Sequence, residues 1–140
     1  MEKHSVFLGL GTNIGEKQTN MQKALAEIKR QIGEITSLSS FYETEPVGFE
    51  SENAFLNAVC RVETILSPYE ILAVTQRIER ALGRTRKSIN GQYHDRIIDI
   101  DILLYDNIRI DTPELTIPHP LMETRDFVMI PLKEILCNNQ

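Results

Sequence analysis

An α+β sandwich with a mainly antiparallel sheet is the fold class this sequence predicts, and three observations predict it. Segments with two-residue and 3.6-residue apolar periods follow one another as strand, helix, strand, strand, helix, strand. The second and third strands are joined without a helix between them, which argues against a wholly parallel, doubly wound sheet. The length of 140 residues suits one domain over 1–140, with no repeats, low-complexity tracts or linkers. A ferredoxin-like βαββαβ unit fits these observations, with both helices on one face of the sheet and the other face available for an active site.

The elements can be justified in chain order. "SVFLGLGTN" reads as a strand ended by glycines and Asn13. Helical spacing then places Met21, Ala24, Leu25, Ile28 and Ile32 on one stripe, with Gly33 as the stop signal. "ITSLSSFYETEP" predicts a second strand running into a loop at Pro46 and Gly48. In "AFLNAVCRVET", Leu56, Ala58, Cys60 and Val62 alternate with Phe55, Asn57, Val59 and Arg61, the pattern of a third strand. "SPYEILAVTQRIERALG" is a helix marked at both ends: Ser67 is the N-cap, Pro68 takes the first position, Glu70 completes a capping box, and Gly83 follows the last turn. Its inner stripe is read as Ile71, Leu72, Thr75, Ile78 and Leu82. A polar loop leads to the strand "DRIIDIDILLY", and Asp106-Asn107 turns the chain into "IRI". "TIPHPLMETRDFVMIPLKEIL" is a proline-punctuated segment leading into a short helix.

Apolar and charged fractions of 41% and 25% are those of an ordinary globular protein. The net charge of −5 argues against a nucleic-acid or anionic-membrane partner. The N-terminus lacks the apolar core of a signal peptide, and no run reaches membrane-spanning length. Cys60 and Cys137 are far apart and no C-x-x-C occurs, so zinc ligation is unsupported and reduced thiols are expected. A cytoplasmic, monomeric enzyme or binding domain is the expectation.

Chemistry concentrates around "DRIIDIDILLY". Alternation turns Ile98, Ile100, Ile102 and Leu104 to one face and Asp99, Asp101, Leu103 and Tyr105 to the other, with the two carboxylates about 7 Å apart. Magnesium commonly takes one or two carboxylates plus phosphate oxygens of a substrate, and a D-x-D supplies that number. A solvated strand face explains an isolated D-x-D at least as well. Its neighbours shift the balance: Arg84, Arg86, Lys87 and Arg96 precede the aspartates. One or two such cations would merely complement a helix C-terminus. Four beside a carboxylate pair suit phosphate groups held opposite a metal site. Gln76 and Glu79, at i and i+3, are read as projecting together from the second helix. His119 lies between Pro118 and Pro120 in a rigid extended segment that suits either a ligand contact or a structural turn.

In order, the blocks "LGLGTNIG", "SSFYETEPVG", "FLNAV", "QRIERALGRTRK", "RIIDIDILLY" and "TIPHPLMETRDFVMIPLKEI" cover nearly the whole chain. The sequence resembles the 6-hydroxymethyl-7,8-dihydropterin pyrophosphokinase family of folate biosynthesis. The resemblance implies transfer of pyrophosphate from ATP to the pterin hydroxymethyl group, giving AMP, with two Mg2+ ions held by Asp99 and Asp101. It implies that Arg84, Arg86 and Arg96 steady phosphates, Arg84 and Arg96 mattering most for the chemical step. It also implies nucleotide contacts at Gln76, Glu79, Ile102, Thr116, His119 and Arg125. Thr44, Val47, Phe55, Asn57 and Phe127 match a pterin pocket in which the two phenylalanines sandwich the ring and Asn57 pairs with its amide edge. The chain departs from the usual pattern at "GQYHDRI", where many members carry "GPRT" and a nearby tryptophan; Tyr93 is the aromatic residue here. Glu45 stands where proline is frequent and Glu114 where a basic residue can meet nucleotide. Two other readings share the carboxylate pair: a palm-like nucleotidyl transferase or cyclase, which would release pyrophosphate, and a silent metabolite-binding module, which would bind nucleotide without turnover.

Overall fold

The computed structural model describes residues 2–44, 54–83, 98–120 and 122–138. Strand β1 (His4–Thr12) leads into helix α1 (Lys17–Gln31), then β2 (Gly33–Leu38), β3 (Tyr42–Thr44), β4 (Phe55–Thr64), α2 (Pro68–Ala81), β5 (Asp99–Tyr105), the short β6 (Ile110–Asp111) and β7 (Thr116–Ile117), a 3-10 turn at Met122–Thr124, and α3 (Asp126–Asn138). The main sheet runs β2-β4-β1-β5, with β3 also on β4, and every pairing is antiparallel. Sequence order and sheet order together are those of the expected βαββαβ unit, in which a third strand separates the two ends of each helical crossover.

Two apolar clusters hold the sheet from opposite sides. The larger joins Val6, Leu8 and Leu10 of β1, Leu56, Ala58, Cys60 and Val62 of β4, and Ile98, Ile100 and Ile102 to α1 and α2. All five residues of the predicted α1 stripe are buried. On α2 the buried face is Ile71, Val74, Thr75, Ile78 and Glu79, while Leu72 and Leu82 pack only at its margin. The second cluster joins Val59 and Leu103 on the other face to Met122, Val128, Leu132 and Ile135. Helix α3 thus covers part of the face that a two-helix reading leaves open.

Local detail departs from the sequence pattern at three places. The second strand divides into β2 and β3 because Ser39 leaves strand geometry: its N–H donates to the Val59 carbonyl at 2.9 Å and its Oγ accepts from the Val59 N–H at 2.9 Å. Gly33 does not close α1 with a left-handed turn. It opens β2 against β4, where a Cβ would collide with the Glu63 carbonyl. The register between β1 and β5 slips at Phe7/Leu8, so that Leu8 faces Ile102 while Phe7 faces Leu104. This bulge reverses the expected assignment at the end of the strand, because Leu104 packs with the α3 cluster and Tyr105 joins the helix-side core.

The capping box on α2 forms as its sequence requires, Glu70 N–H donating to Ser67 Oγ and Ser67 N–H to Glu70 Oε1. At the predicted 106–107 turn Asp106 has φ of 48°, a value Asp tolerates better than most residues. Its carboxylate accepts from Ser5 N–H at 2.7 Å and contacts His4 Nδ1 at 2.7 Å, closing the turn onto the first strand.

Candidate active site

Asp99 and Asp101 are half-buried, while Ile98, Ile100 and Ile102 between and beside them are buried in the core. The aspartates therefore project from the face away from α1 and α2, as alternation predicts. Across β1 they meet glycines: Gly11 pairs with Asp99 and Gly9 with Asp101. The same glycines pair on their other side with Asn57 and Val59 of β4. One row across the sheet therefore reads Tyr42, Asn57, Gly11, Asp99, each strand antiparallel to the next. Asn57 and Asp99 are two strand spacings apart, about 10 Å, with only a backbone and no side chain between them.

Asn57 is 4% exposed, and its Nδ2 donates to the Tyr42 carbonyl at 3.2 Å. A Cβ on Gly11 would stand 3.2 Å from Asn57 Oδ1 and 3.7 Å from Phe55 Cδ1. The floor beneath these two side chains is thus formed by the absent side chain of Gly11. The "G-x-G" of the first strand has the same two-residue period as the D-x-D, which is the signal that would have placed it in the site. Just ahead of Phe55, Lys17 donates to the Ala54 carbonyl at 3.1 Å and fixes where β4 begins.

The outer edge of β5 is closed by side chain and strap. Glu79, 7% exposed on α2, accepts the Ile100 N–H at Oε2 over 2.8 Å. Beyond the cis Ile117-Pro118 bond, the His119 N–H donates to the Leu103 carbonyl at 3.0 Å. Burial holds the His119 imidazole below its ordinary pKa; the Arg125 cation adds to that, and Asp99 opposes it. His119, Arg125 and Asp99 therefore lie within one electrostatic neighbourhood. The Arg125 guanidinium also sits over the Phe127 ring, 5.4 Å from its centroid, at the start of α3. Among the described residues no group of three His, Cys, Asp or Glu could hold a metal ion; two carboxylates are the number a hard cation takes when water and phosphate oxygens complete its shell.

The sequence profile of the 7,8-dihydro-6-hydroxymethylpterin-pyrophosphokinase (HPPK) family matches residues 7–137. The chain belongs to this pyrophosphokinase family. A 2-amino-4-hydroxy-6-hydroxymethyldihydropteridine pyrophosphokinase of Porphyromonas gingivalis is 50% identical over 131 residues, covering 93% of this chain and 89% of that protein. The Bacillus subtilis protein of the same name is 42% identical over 130 residues, covering 92% and 76%. A bifunctional folate synthesis protein of Arabidopsis thaliana is 41% identical over 134 residues, but the match spans only 24% of its length. Among solved structures, an HPPK-DHPS protein in complex with substrates superposes with a TM-score of 0.77 at 15% identity, over 97% of this chain and 40% of that one.

Within this pyrophosphokinase, the structure brings Asp99, Asp101, Phe55 and Asn57 to one face and His119 and Arg125 to its margin. Gln76 does not share the surroundings of Glu79: it is exposed, whereas Glu79 is buried, so the i, i+3 spacing carries them to different environments. Ile102 has its side chain in the helix-side core. Its backbone is in phase with that of Ile100, whose N–H points away from β1, so main-chain atoms are what Ile102 can offer a ligand at that edge. Thr116 pairs with Asp111 in the small β6-β7 ladder. Phe127 is half-buried, packed on the α3 cluster with Arg125 above it. Thr44 pairs with Phe55 through its backbone. Val47, Arg84, Arg86 and Arg96, with Glu45, Lys87 and Tyr93, lie outside the described residues. Glu114 is exposed.

Proposed function

We propose that this protein transfers the β,γ-pyrophosphoryl unit of ATP to the hydroxymethyl group of 6-hydroxymethyl-7,8-dihydropterin, releasing AMP in a step of folate biosynthesis. The observation that carries the reading is the row Asn57, Gly11, Asp99 across three neighbouring strands. It sets a buried carboxamide suited to a pterin amide edge about two strand spacings from a carboxylate suited to a phosphate-bound cation.

Asp99 and Asp101 fit a cation shared with substrate: two carboxylates, half-buried, on one face of a strand. Two Mg2+ ions held there with the triphosphate would neutralise its charge and lower the pKa of the substrate hydroxyl. Phe55 stacks on one face of the ring, Phe127 on the other, and Asn57, held by the Tyr42 carbonyl, reads the amide edge; Thr44 and Val47 complete that pocket. The substrate hydroxyl loses its proton to solvent as its oxygen attacks the β-phosphorus, the bond from that phosphorus to the α,β-bridging oxygen breaks, and AMP leaves with that oxygen. Arg84, Arg86 and Arg96 supply positive charge around the transferred group, Arg84 and Arg96 closest to the chemical step. Gln76, Thr116, His119, Arg125 and the Ile102 main chain hold the nucleotide. His119, whose pKa burial lowers, offers a neutral imidazole there, one ring nitrogen donating and the other accepting a hydrogen bond. The net charge of −5 agrees with a cytoplasmic monomer acting on small molecules, and among the described residues no helix is long and apolar enough to cross a membrane.

Incubation with ATP, Mg2+ and the hydroxymethyl dihydropterin, with nucleotide products separated, tests the reaction. AMP formed only when the pterin is present is the expected result. Pyrophosphate release would indicate nucleotidyl transfer, and nucleotide binding without turnover a silent module. Replacing Asp99 or Asp101 by Ala should lower turnover by at least about 100-fold with the fold retained by circular dichroism; near-normal turnover in either variant would remove the metal role.

A further inference from the structure

We propose that Glu79 is a positioning residue that sets the Asp99/Asp101 pair by gripping the backbone between them; the proposal rests on the pyrophosphokinase reading of those aspartates. Among the described residues β5 is the outer strand of the sheet, and there its backbone groups turned away from β1 have no strand partner. Ile100 is the residue flanked by the two aspartates, and Glu79 Oε2 accepts its N–H at 2.8 Å. The side chain comes from α2, a different element, and is itself buried. A few residues along, His119 N–H caps the Leu103 carbonyl on the same edge.

A shift of the Ile100 backbone moves both carboxylates together, because each is bonded to it through one peptide link. Misplacement of reacting groups by about 1 Å can cost on the order of 100-fold in rate. The family resemblance reads Glu79 as a nucleotide contact; the proposal departs from that reading, since a carboxylate and the triphosphate oxygens both present acceptors and Glu79 Oε2 is turned to the Ile100 N–H. A carboxyl group aimed at the strand instead acts as an outer-shell partner of the metal site, the kind whose loss typically lowers metal affinity about 10- to 100-fold.

Three substitutions and two binding measurements decide the matter. Glu79→Gln retains an acceptor of the same reach and is expected to stay within about threefold of the parent protein in its Mg2+ requirement, the low side of the outer-shell range. Glu79→Ala and Glu79→Asp, the latter keeping a carboxyl but withdrawing it by a methylene, should each need about 10-fold or more Mg2+ for half-maximal turnover. Both should bind Mn2+, in the presence of a non-hydrolysable ATP analogue, correspondingly more weakly. Both should speed amide hydrogen exchange at Ile100, while ATP affinity without divalent cation changes less than about twofold, as for a residue that does not touch the nucleotide. Unchanged exchange at Ile100, or a loss of cation-free ATP affinity with an unaltered metal requirement, would overturn the proposal. If Glu79→Ala fails to fold, Glu79→Asp against Glu79→Gln still decides it. A parent protein that forms no AMP would defeat the reaction reading, and the Ile100 exchange and Mn2+ arms would still judge Glu79.

Discussion

A methyl group on Gly11 would stand 3.2 Å from Asn57 Oδ1, closer than side chains normally approach, and the amide would have to give way. Asn57 is tied on its other side to the Tyr42 carbonyl, so the displacement would break a directed contact and not merely crowd a loose one. Gly11→Ala is therefore expected to weaken dihydropterin binding about 10-fold, the effect of one compromised buried hydrogen bond, while ATP affinity measured by calorimetry stays near the parent value. Equal losses for both ligands would place the damage elsewhere. Gly9 offers a contrast, since the nearest atoms a Cβ there would meet are those of the Leu103 side chain, at 3.4 Å. Asp99, Asp101, Phe55 and Asn57 were legible in the sequence because alternation alone decides their face. Gly11 and the Glu79 contact were not, because their roles arise from register between strands and from a helix reaching a strand far along the chain. Cys60 is buried, and burial pushes its pKa up to about 12, leaving no reactive thiolate.

Element boundaries were written most clearly where a local hydrogen bond enforces them. Ser67 and Glu70 close α2 from within four residues, and the helix begins where they say. Ser67→Ala should lower stability by about 1 kcal/mol in denaturant melts, with turnover at low temperature unchanged; no loss would mean that tertiary packing alone sets the end of α2. The split of the second strand and the bulge in the fifth were not legible, for a common reason. Both depend on the partner strand: Ser39 exchanges hydrogen bonds with Val59, and the slip at Phe7/Leu8 turns Leu104 to the α3 side alongside Leu103. An apolar run such as "ILLY" gives no local sign of which leucine faces which layer. Gly33 shows the complementary case, in which the residue was noticed but its reason is a close approach to Glu63 rather than a turn.

At the scale of the whole molecule, the βαββαβ order was legible because helical and strand periods alternate, whereas the covering of the second face by α3 was not, since Pro118, Pro120 and Pro131 obscure the tail. That tail carries a pH dependence. His119 has its pKa lowered by burial and by Arg125, against the pull of Asp99, so between its lowered value and 6.5 the unfolded chain binds a proton that the folded chain does not. The contribution is present in full above pH 6.5 and is lost as pH falls toward the lowered value. Thermal melts without nucleotide or divalent cation should show the midpoint dropping below pH 6.5, and His119→Asn should flatten that part of the profile; an identical slope in the variant would assign the loss to other groups. The row from Asn57 through Gly11 to Asp99 has a different kind of consequence. Because β1 is hydrogen-bonded between β4 and β5, the distance from Asn57 to Asp99 is gauged by the backbone ladder of the sheet. On the proposed reading, selection for a hydroxyl one carbon from the ring rests on the spacing of hydrogen-bonded strands, which fixes how far the substrate must reach.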